Sequence, residues 1–268
     1  MSGPLVAVIT GASSGIGEAT ARRLAREPGA QLVLVARREE RLRRLADTLP
    51  AACTCLALDL TDDDAPTRVL AHVREHCGGR LTLLVNNAGA SWRAKFAEGG
   101  YANVRQTMAL NFDAPVRLTE ALLPLLRASA PSAIVNVSST AARVARPGTG
   151  AYSASKFALT GWSDALYAEE LSNGVHVGVV LPGFIATEGF PARELIARPL
   201  TSWLVSTPDR AAEAIVDASL RRRPERYVPR PYALAAAARL LLPGLVRRAI
   251  TRDGAAILTT KTGAEDAA

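Results

Sequence analysis

The sequence predicts an α/β fold, a doubly wound parallel sheet in three layers (α/β/α) forming a single domain. Three observations lead there. Short, nearly unbroken apolar runs recur along the chain, helical patterns separate them, and a glycine-rich turn joins the first run to the first helix. Strands covered by helices on both faces read as continuous apolar runs instead of alternating ones. Right-handed crossovers between such strands wind the sheet outward in two directions.

The elements follow in order. Residues 5–9 (LVAVI) form a strand, and 16–26 a helix. Residues 31–36 (QLVLVA) and 53–58 are the next strands, with a helix over 39–49 between them. A helix over 62–76 leads to a strand over 81–85. Residues 101–127 read as one long helix or two, Pro115 being the point of doubt. Strands over 133–137 and 175–181 enclose a helix over 152–171. Residues 182–206 then lose all periodicity and contain three prolines and two glycines, as a lid or binding loop does. Thr207-Pro208-Asp209 is a helix start, with a cap, a first-turn proline and an early acid. A short strand over 226–228 and a helix over 232–242 complete the pattern.

The 268 residues are 49% apolar, too many for a disordered chain, and three cysteines cannot build a disulfide framework. Cys53 and Cys55 share one face of a strand and lack neighbouring ligands at metal spacing, so they read as core thiols and no metal site is expected. The net charge of +7 at first suggests polyanions, but it is local. Residues 219–252 contain nine arginines and one acid, Glu225, while the remainder is nearly neutral. This basic C-terminal extension, running on to residue 268, reads first as a solvated face. A surface for an anionic membrane or a partner is the alternative. No nucleic-acid-binding pattern is present, so no nucleic acid is expected. The longest apolar stretch, 233–246, is broken by Arg239 and Pro243-Gly244 and falls short of the ~20 residues that span a bilayer. With no leader pattern at the start, a reducing, cytoplasmic setting is the expectation.

Thr10-Gly11-Ala12-Ser13-Ser14-Gly15-Ile16-Gly17 lies between the first strand and the first helix. Gly11 permits the tight turn, Gly15 lets backbone approach a pyrophosphate, and Gly17 lets helix pack on sheet. The free N–H groups of the helix start attract the anion. This points to dinucleotide binding. An acid at the tip of the second strand would bind ribose hydroxyls and select NAD, whereas a base accepts the extra phosphate of NADP. Arg37 and Arg38 stand there, so NADP(H) is expected in preference to NAD(H).

Tyr152-Ser153-Ala154-Ser155-Lys156 opens a helix and places a phenol and an ammonium on one face. An adjacent cation favours phenolate and would lower the tyrosine pKa, making a general acid or base for a hydroxyl or carbonyl. Ser138-Ser139 follows a strand end, where open α/β sheets hold ligands, and Ser139 precedes Tyr152 by 13 residues. Asn86-Asn87-Ala88-Gly89 follows another strand end, and Asn111 lies in the long helix.

Together these motifs resemble the short-chain dehydrogenase/reductase family, over residues 5–187, roughly two thirds of the chain. The resemblance implies a Rossmann-like fold and a set of roles. Tyr152 would transfer the proton of the substrate oxygen, with Ser139 bonding that oxygen. Lys156 would depress the Tyr152 pKa and hold the nicotinamide ribose, and Asn111 would hold a water in a proton relay. Asp59 and Leu60 would meet the adenine, and Asn87, Ala88 and Gly89 would turn over the adenosine ribose. In the run beginning Pro182-Gly183, the Ile185 backbone and the Thr187 hydroxyl would hold the carboxamide. Ser13, Ser14 and Ile16 complete the phosphate turn. A basic residue just before the middle glycine, another family sign of NADP, is absent, since Ser14 stands there.

The leading expectation is thus an NADP(H)-dependent oxidoreductase that interconverts a carbonyl and an alcohol on an apolar, fairly bulky small molecule. Trp92, Phe96, Phe184, Phe190, Leu195, Ile196 and Trp203 would supply the apolar walls, with residues 183–206 as the substrate lid. Arg93, Lys95 and Arg193 could instead pair a carboxylate. A non-catalytic NADP-binding redox sensor and a membrane- or partner-interaction protein built on the basic segment are the alternatives. The resemblance also implies a homodimer or homotetramer through the helices over 101–127 and 152–171.

Overall fold

A computed structural model of the protein describes residues 3–188 and 204–257. Seven parallel strands form the central sheet: β1 (Val6–Thr10), β2 (Gln31–Ala36), β3 (Ala52–Ala57), β4 (Leu83–Asn86), β5 (Ser132–Val137), β6 (Val175–Pro182) and β9 (Glu225–Val228). Their order is β3-β2-β1-β4-β5-β6-β9. The chain winds one way from β1 and then reverses between β1 and β4, where Ile9 registers with Val85. Ligands of such sheets bind in the crevice beyond the strand ends at that reversal. A two-residue pair, β7 (Phe184–Ile185) and β8 (Val205–Ser206), lies beyond the end of β6.

Alternate residues of each strand face opposite layers, which divides the core in two. Ile9, Leu34 and Val85 pack under α1 (Gly15–Leu24) and α7 (Pro208–Ser219), with Leu24 and Ile215 completely buried. Val8, Val33, Leu84 and Ile134 pack on the other side against α3 (Ala65–Cys77), α5 (Ala114–Ala128) and α6 (Gly150–Glu170). Burial of each such side chain contributes roughly 1.5–3 kcal/mol. Amphipathic α2 (Glu39–Asp47) buries only Leu42 and Leu45. Thr207 accepts from the Arg210 N–H at the start of α7, as its cap pattern requires.

Three expectations change. The long helix is divided, and not at Pro115: α4 (Phe96–Met108) passes through a π-turn (Ala109–Asp113) into α5, whose first turn accommodates Pro115. A first-turn proline loses no helical hydrogen bond, so the break falls one turn earlier. Cys53 and Cys55 are half-buried, because β3 is the edge strand and only one side is covered. Burial raises both thiols, Cys53 to about 11. Third, part of the basic segment is neutralised, since Arg221 and Arg226 both pair with Asp217.

The last two described elements are α8 (Tyr232–Leu241) and α9 (Pro243–Ile257). Leu234, Leu240, Leu241, Leu242 and Leu245 are exposed there. Among the described residues no helix is long and apolar enough to cross a membrane.

Candidate active site

The glycine turn is locked to the end of β4. Gly11 and Gly15 have φ of +65° and +57°. A Cβ on Gly17 would stand 2.2 Å from the Gly11 carbonyl oxygen, so only glycine lets α1 approach β1 this closely. The Thr10 hydroxyl accepts from the N–H groups of Asn87 (2.9 Å) and Ala88 (3.0 Å), and the Asn87 amide donates back to the Thr10 carbonyl at 2.9 Å. Gly89 lies beside Asn111 and Lys156. Ser14 does not cap α1 with its side chain. Its hydroxyl instead accepts from Arg38 at 2.9 Å, and Ser13 accepts from the same guanidinium at 3.2 and 3.3 Å.

Arg37 lies 3.8 Å from Asp59 and is mostly exposed. Burial raises the Asp59 pKa, but the Thr61 N–H and hydroxyl, together with Arg37, outweigh it and leave the carboxylate low. Leu60 is buried beside it. Thr187 stands over the turn, close to where a Gly15 Cβ would be, and Ile185 is buried. The next residue, Glu188, accepts two bonds from Arg41 on α2, at 2.6 and 3.0 Å. Neither partner was nominated from the sequence, where they stand 147 positions apart.

The candidate proton-transfer residues are brought together at the ends of β5 and β6. Tyr152 and Lys156 lie one turn apart at the start of α6. Ser139 accepts from the Ala141 N–H (3.1 Å), contacts the Pro182 carbonyl (3.3 Å), and is the hydrogen-bonding neighbour of the Tyr152 phenol. Ser138 has a structural task, donating to the Lys156 carbonyl at 3.0 Å. Asn111 sits in the π-turn with its side chain fully committed. It accepts from the Ala90 N–H (3.0 Å) and donates to the Ala90 carbonyl (2.9 Å) and the Ser155 hydroxyl (3.1 Å). Any water it holds would therefore rest on its backbone carbonyl.

The expected lowering of the Tyr152 pKa by Lys156 is not what the geometry gives. Burial drives the phenol pKa up, and Ser139, Arg146 and Arg93 only partly offset this. The Lys156 ammonium donates to the Val137 carbonyl at 2.9 Å and stands 5.9 Å from the Tyr152 ring centroid. Burial lowers Lys156 itself to about 8.

Beside Ser139 a pocket of about 120 Å³ opens to solvent, walled in part by Arg143, Arg146, Phe184 and Tyr232. The sequence singled out Phe184 among these and missed both arginines and Tyr232. Phe96 does not serve as a wall, being 77% exposed at the start of α4. Phe190, Arg193, Leu195, Ile196 and Trp203 lie outside the described residues.

This arrangement defines a class: a nucleotide-type turn facing a half-buried tyrosine beside a buried serine and lysine, at the strand ends of a doubly wound sheet. Residues 5–194 match the short chain dehydrogenase family, and the chain belongs to it. It is 35% identical over 192 residues to dehydrogenase/reductase SDR family member 7B of Bos taurus, covering 68% of this chain and 58% of that one. The chain thus spans less than two thirds of that relative's length. It is 30% identical over 224 residues to the ketoacyl reductase HetN of Nostoc sp., covering 82% and 77%. A short chain dehydrogenase from Burkholderia cenocepacia, solved with NADP, superposes with a TM-score of 0.78 at 26% identity, covering 92% and 97%.

Proposed function

We propose that this oxidoreductase uses NADP(H) to interconvert a carbonyl and an alcohol on an apolar, fairly bulky substrate, with Tyr152 as proton donor and acceptor. One observation supports it above others: the half-buried Tyr152 phenol beside Ser139, which lines the pocket, at the strand ends that face the glycine turn. The residues present suit the cofactor. Gly15 leaves space below Thr187 that a side chain would fill, and Arg38 converges with Ser13 and Ser14 on an anion site.

When bound, the nicotinamide supplies or accepts the hydride. Gly11, Ser13, Ser14, Gly15, Ile16 and Gly17 would hold the pyrophosphate, and Arg37 and Arg38 the ribose phosphate. Asp59, Leu60, Asn87, Ala88 and Gly89 would surround the adenosine, and Pro182, Gly183, Ile185 and Thr187 the carboxamide. Ser139 orients the substrate oxygen and Tyr152 gives it a proton. A phenol kept protonated by burial is ready to donate, which suits the reductive direction. The Lys156 ammonium then stabilises the phenolate left behind, and Asn111 fixes the Ala90 turn against α6. The Tyr152→Phe variant is expected to lose about 10²–10⁴-fold in turnover on any active ketone. Retention of wild-type turnover would overturn the mechanism. Tight NADPH binding without turnover across a ketone panel would instead favour a redox sensor.

A second reading concerns the C-terminal face, where the exposed leucines of α8 and α9 lie among Arg230, Arg239, Arg247 and Arg248. Apolar side chains ringed by cations suit an anionic lipid surface. Flotation with phosphatidylglycerol vesicles, lost in a Leu240→Glu/Leu241→Glu variant, is the expected result. No flotation at low salt would refute it. A dimer broken by the same substitutions would assign the face to self-association, which the exposed Tyr101, Phe157 and Leu171 on and beside α4 and α6 also suit.

A further inference from the structure

Two arginines wall the pocket beside Ser139, and among the described residues only one is paired with an acid. Arg143 donates to Glu225 at 2.6 Å and to the Tyr227 hydroxyl at 3.2 Å. Arg146 lies with its guanidinium carbon 4.7 Å above the centre of the Phe184 ring. No carboxylate among the described residues pairs with it. The groups that act on its charge are Tyr232, Arg93 and Tyr152, two phenols and a second cation. Burial already works against its protonated form.

The chain holds this cation in place. The Arg146 carbonyl accepts from the Thr149 N–H (3.2 Å) and hydroxyl (2.9 Å), which fixes the turn. The Ala94 N–H donates to the Gly148 carbonyl at 3.1 Å, which draws the segment bearing Arg93 against the one bearing Arg146. A partly dehydrated guanidinium recovers only part of its lost hydration from a ring face. A neighbouring like charge raises the cost of keeping it there. An anion entering the pocket would relieve both, and the guanidinium fork matches carboxylate and phosphate oxygens. Because Arg146 also acts on Tyr152, that anion would bind within reach of the proton-transfer group.

We propose that Arg146 is a specificity-determining residue that receives an anionic oxygen group of the substrate, a carboxylate or a phosphate. The preferred substrates are then carbonyl compounds with an acidic end held by Arg146 and an apolar body lying against Phe184, Tyr232 and Ala236. This rests on the carbonyl–alcohol reading above.

The test uses the whole protein with NADPH and three aryl ketones: benzoylpropionate, its methyl ester, and phenacyl phosphate. Wild type is expected to favour one anion over the ester in kcat/KM by about tenfold or more. The favoured anion distinguishes carboxylate from phosphate. Arg146→Met should reduce the anion-to-ester ratio by about tenfold or more, and Arg146→Lys should restore part of it as a point charge. A ratio unchanged by Arg146→Met overturns the inference. If none of the three ketones reacts, the oxidoreductase reading fails at that step, and the subsite is decided by calorimetry instead. Phenylbutyrate should then bind the NADPH-treated protein more tightly than phenylbutyramide, with Arg146→Met removing the difference. Equal affinities, or binding of neither, refute the subsite.

Discussion

Arg38, at the tip of β2, reaches the glycine turn and donates to the Ser14 hydroxyl at 2.9 Å. This bond places a cation over the first turn of α1, where a phosphate would also meet the helix dipole. The Arg38→Ala variant should weaken NADPH by about 1.5–3 kcal/mol, roughly 10- to 100-fold in KM, and change NADH much less. Initial rates with both cofactors check it. An equal loss on NADPH and NADH would mean that Arg38 braces the turn without reading the phosphate.

Lys156 should cost stability. Its pKa in the folded protein is about 8, below the ordinary 10.5, because burial disfavours the ammonium. The unfolded chain therefore binds the extra proton between those values, and stability from this group rises as pH climbs from about 8 to 10.5. Below about 8 both states are protonated and the full penalty, roughly 3 kcal/mol, applies. Denaturant titration should find Lys156→Met more stable than wild type at pH 7 by about 2 kcal/mol, with the advantage shrinking toward pH 10. Catalysis should be lost. A variant less stable at every pH would show that the bond to Val137 outweighs the charge penalty.

Two glycines on different helices should respond oppositely to the same change. Gly17→Ala drives a methyl to 2.2 Å from the Gly11 oxygen and 2.6 Å from the Asn87 amide, both fixed by other bonds. A loss of about 2 kcal/mol or more, with loss of cofactor binding, is expected. Gly161, on α6, has nothing within 4 Å of its absent Cβ. Gly161→Ala should stabilise by about 0.5–1 kcal/mol. Thermal melts of both variants decide the matter, and a matching sign would contradict it.

Much of this molecule was legible because strand runs and helix periods are local signals. The runs at 31–36 and 133–137 became β2 and β5 nearly residue for residue. The π-turn was not legible, since Ala109-Leu110-Asn111-Phe112-Asp113 reads as ordinary helix and only the bonds of Asn111 to Ala90 and Ser155 distinguish it. The Tyr152–Lys156 spacing correctly placed two side chains on one face. Spacing orients the Cβ atoms, however, and the Val137 carbonyl, 19 positions away, decides where the ammonium ends. Arg146 sits in a segment with no periodicity of its own, and the partner of Arg41 stands 147 positions away, so their neighbours Phe184 and Glu188 emerge only from the fold.

Gly183 and Tyr232 close one side of the pocket beside Ser139 together. A Cβ on Gly183 would lie 2.4 Å from Tyr232 Cε2 and 2.7 Å from Cζ, so the ring covers this glycine in direct contact. Tyr232 cannot simply swing away, because its hydroxyl donates to the Leu204 carbonyl at 3.2 Å and its ring is half-buried. Gly183→Ala should therefore cost about 1–3 kcal/mol from overpacking and raise the KM for substrate. Removing the ring removes the clash. In a Tyr232→Ala background the same alanine should cost less than about 1 kcal/mol, giving a coupling energy within the roughly 0.5–3 kcal/mol seen for residues in contact. Denaturant midpoints of the four proteins in this cycle measure it. Additive costs would mean that the two residues do not share the pocket wall, and that the ring is held by Leu204 alone.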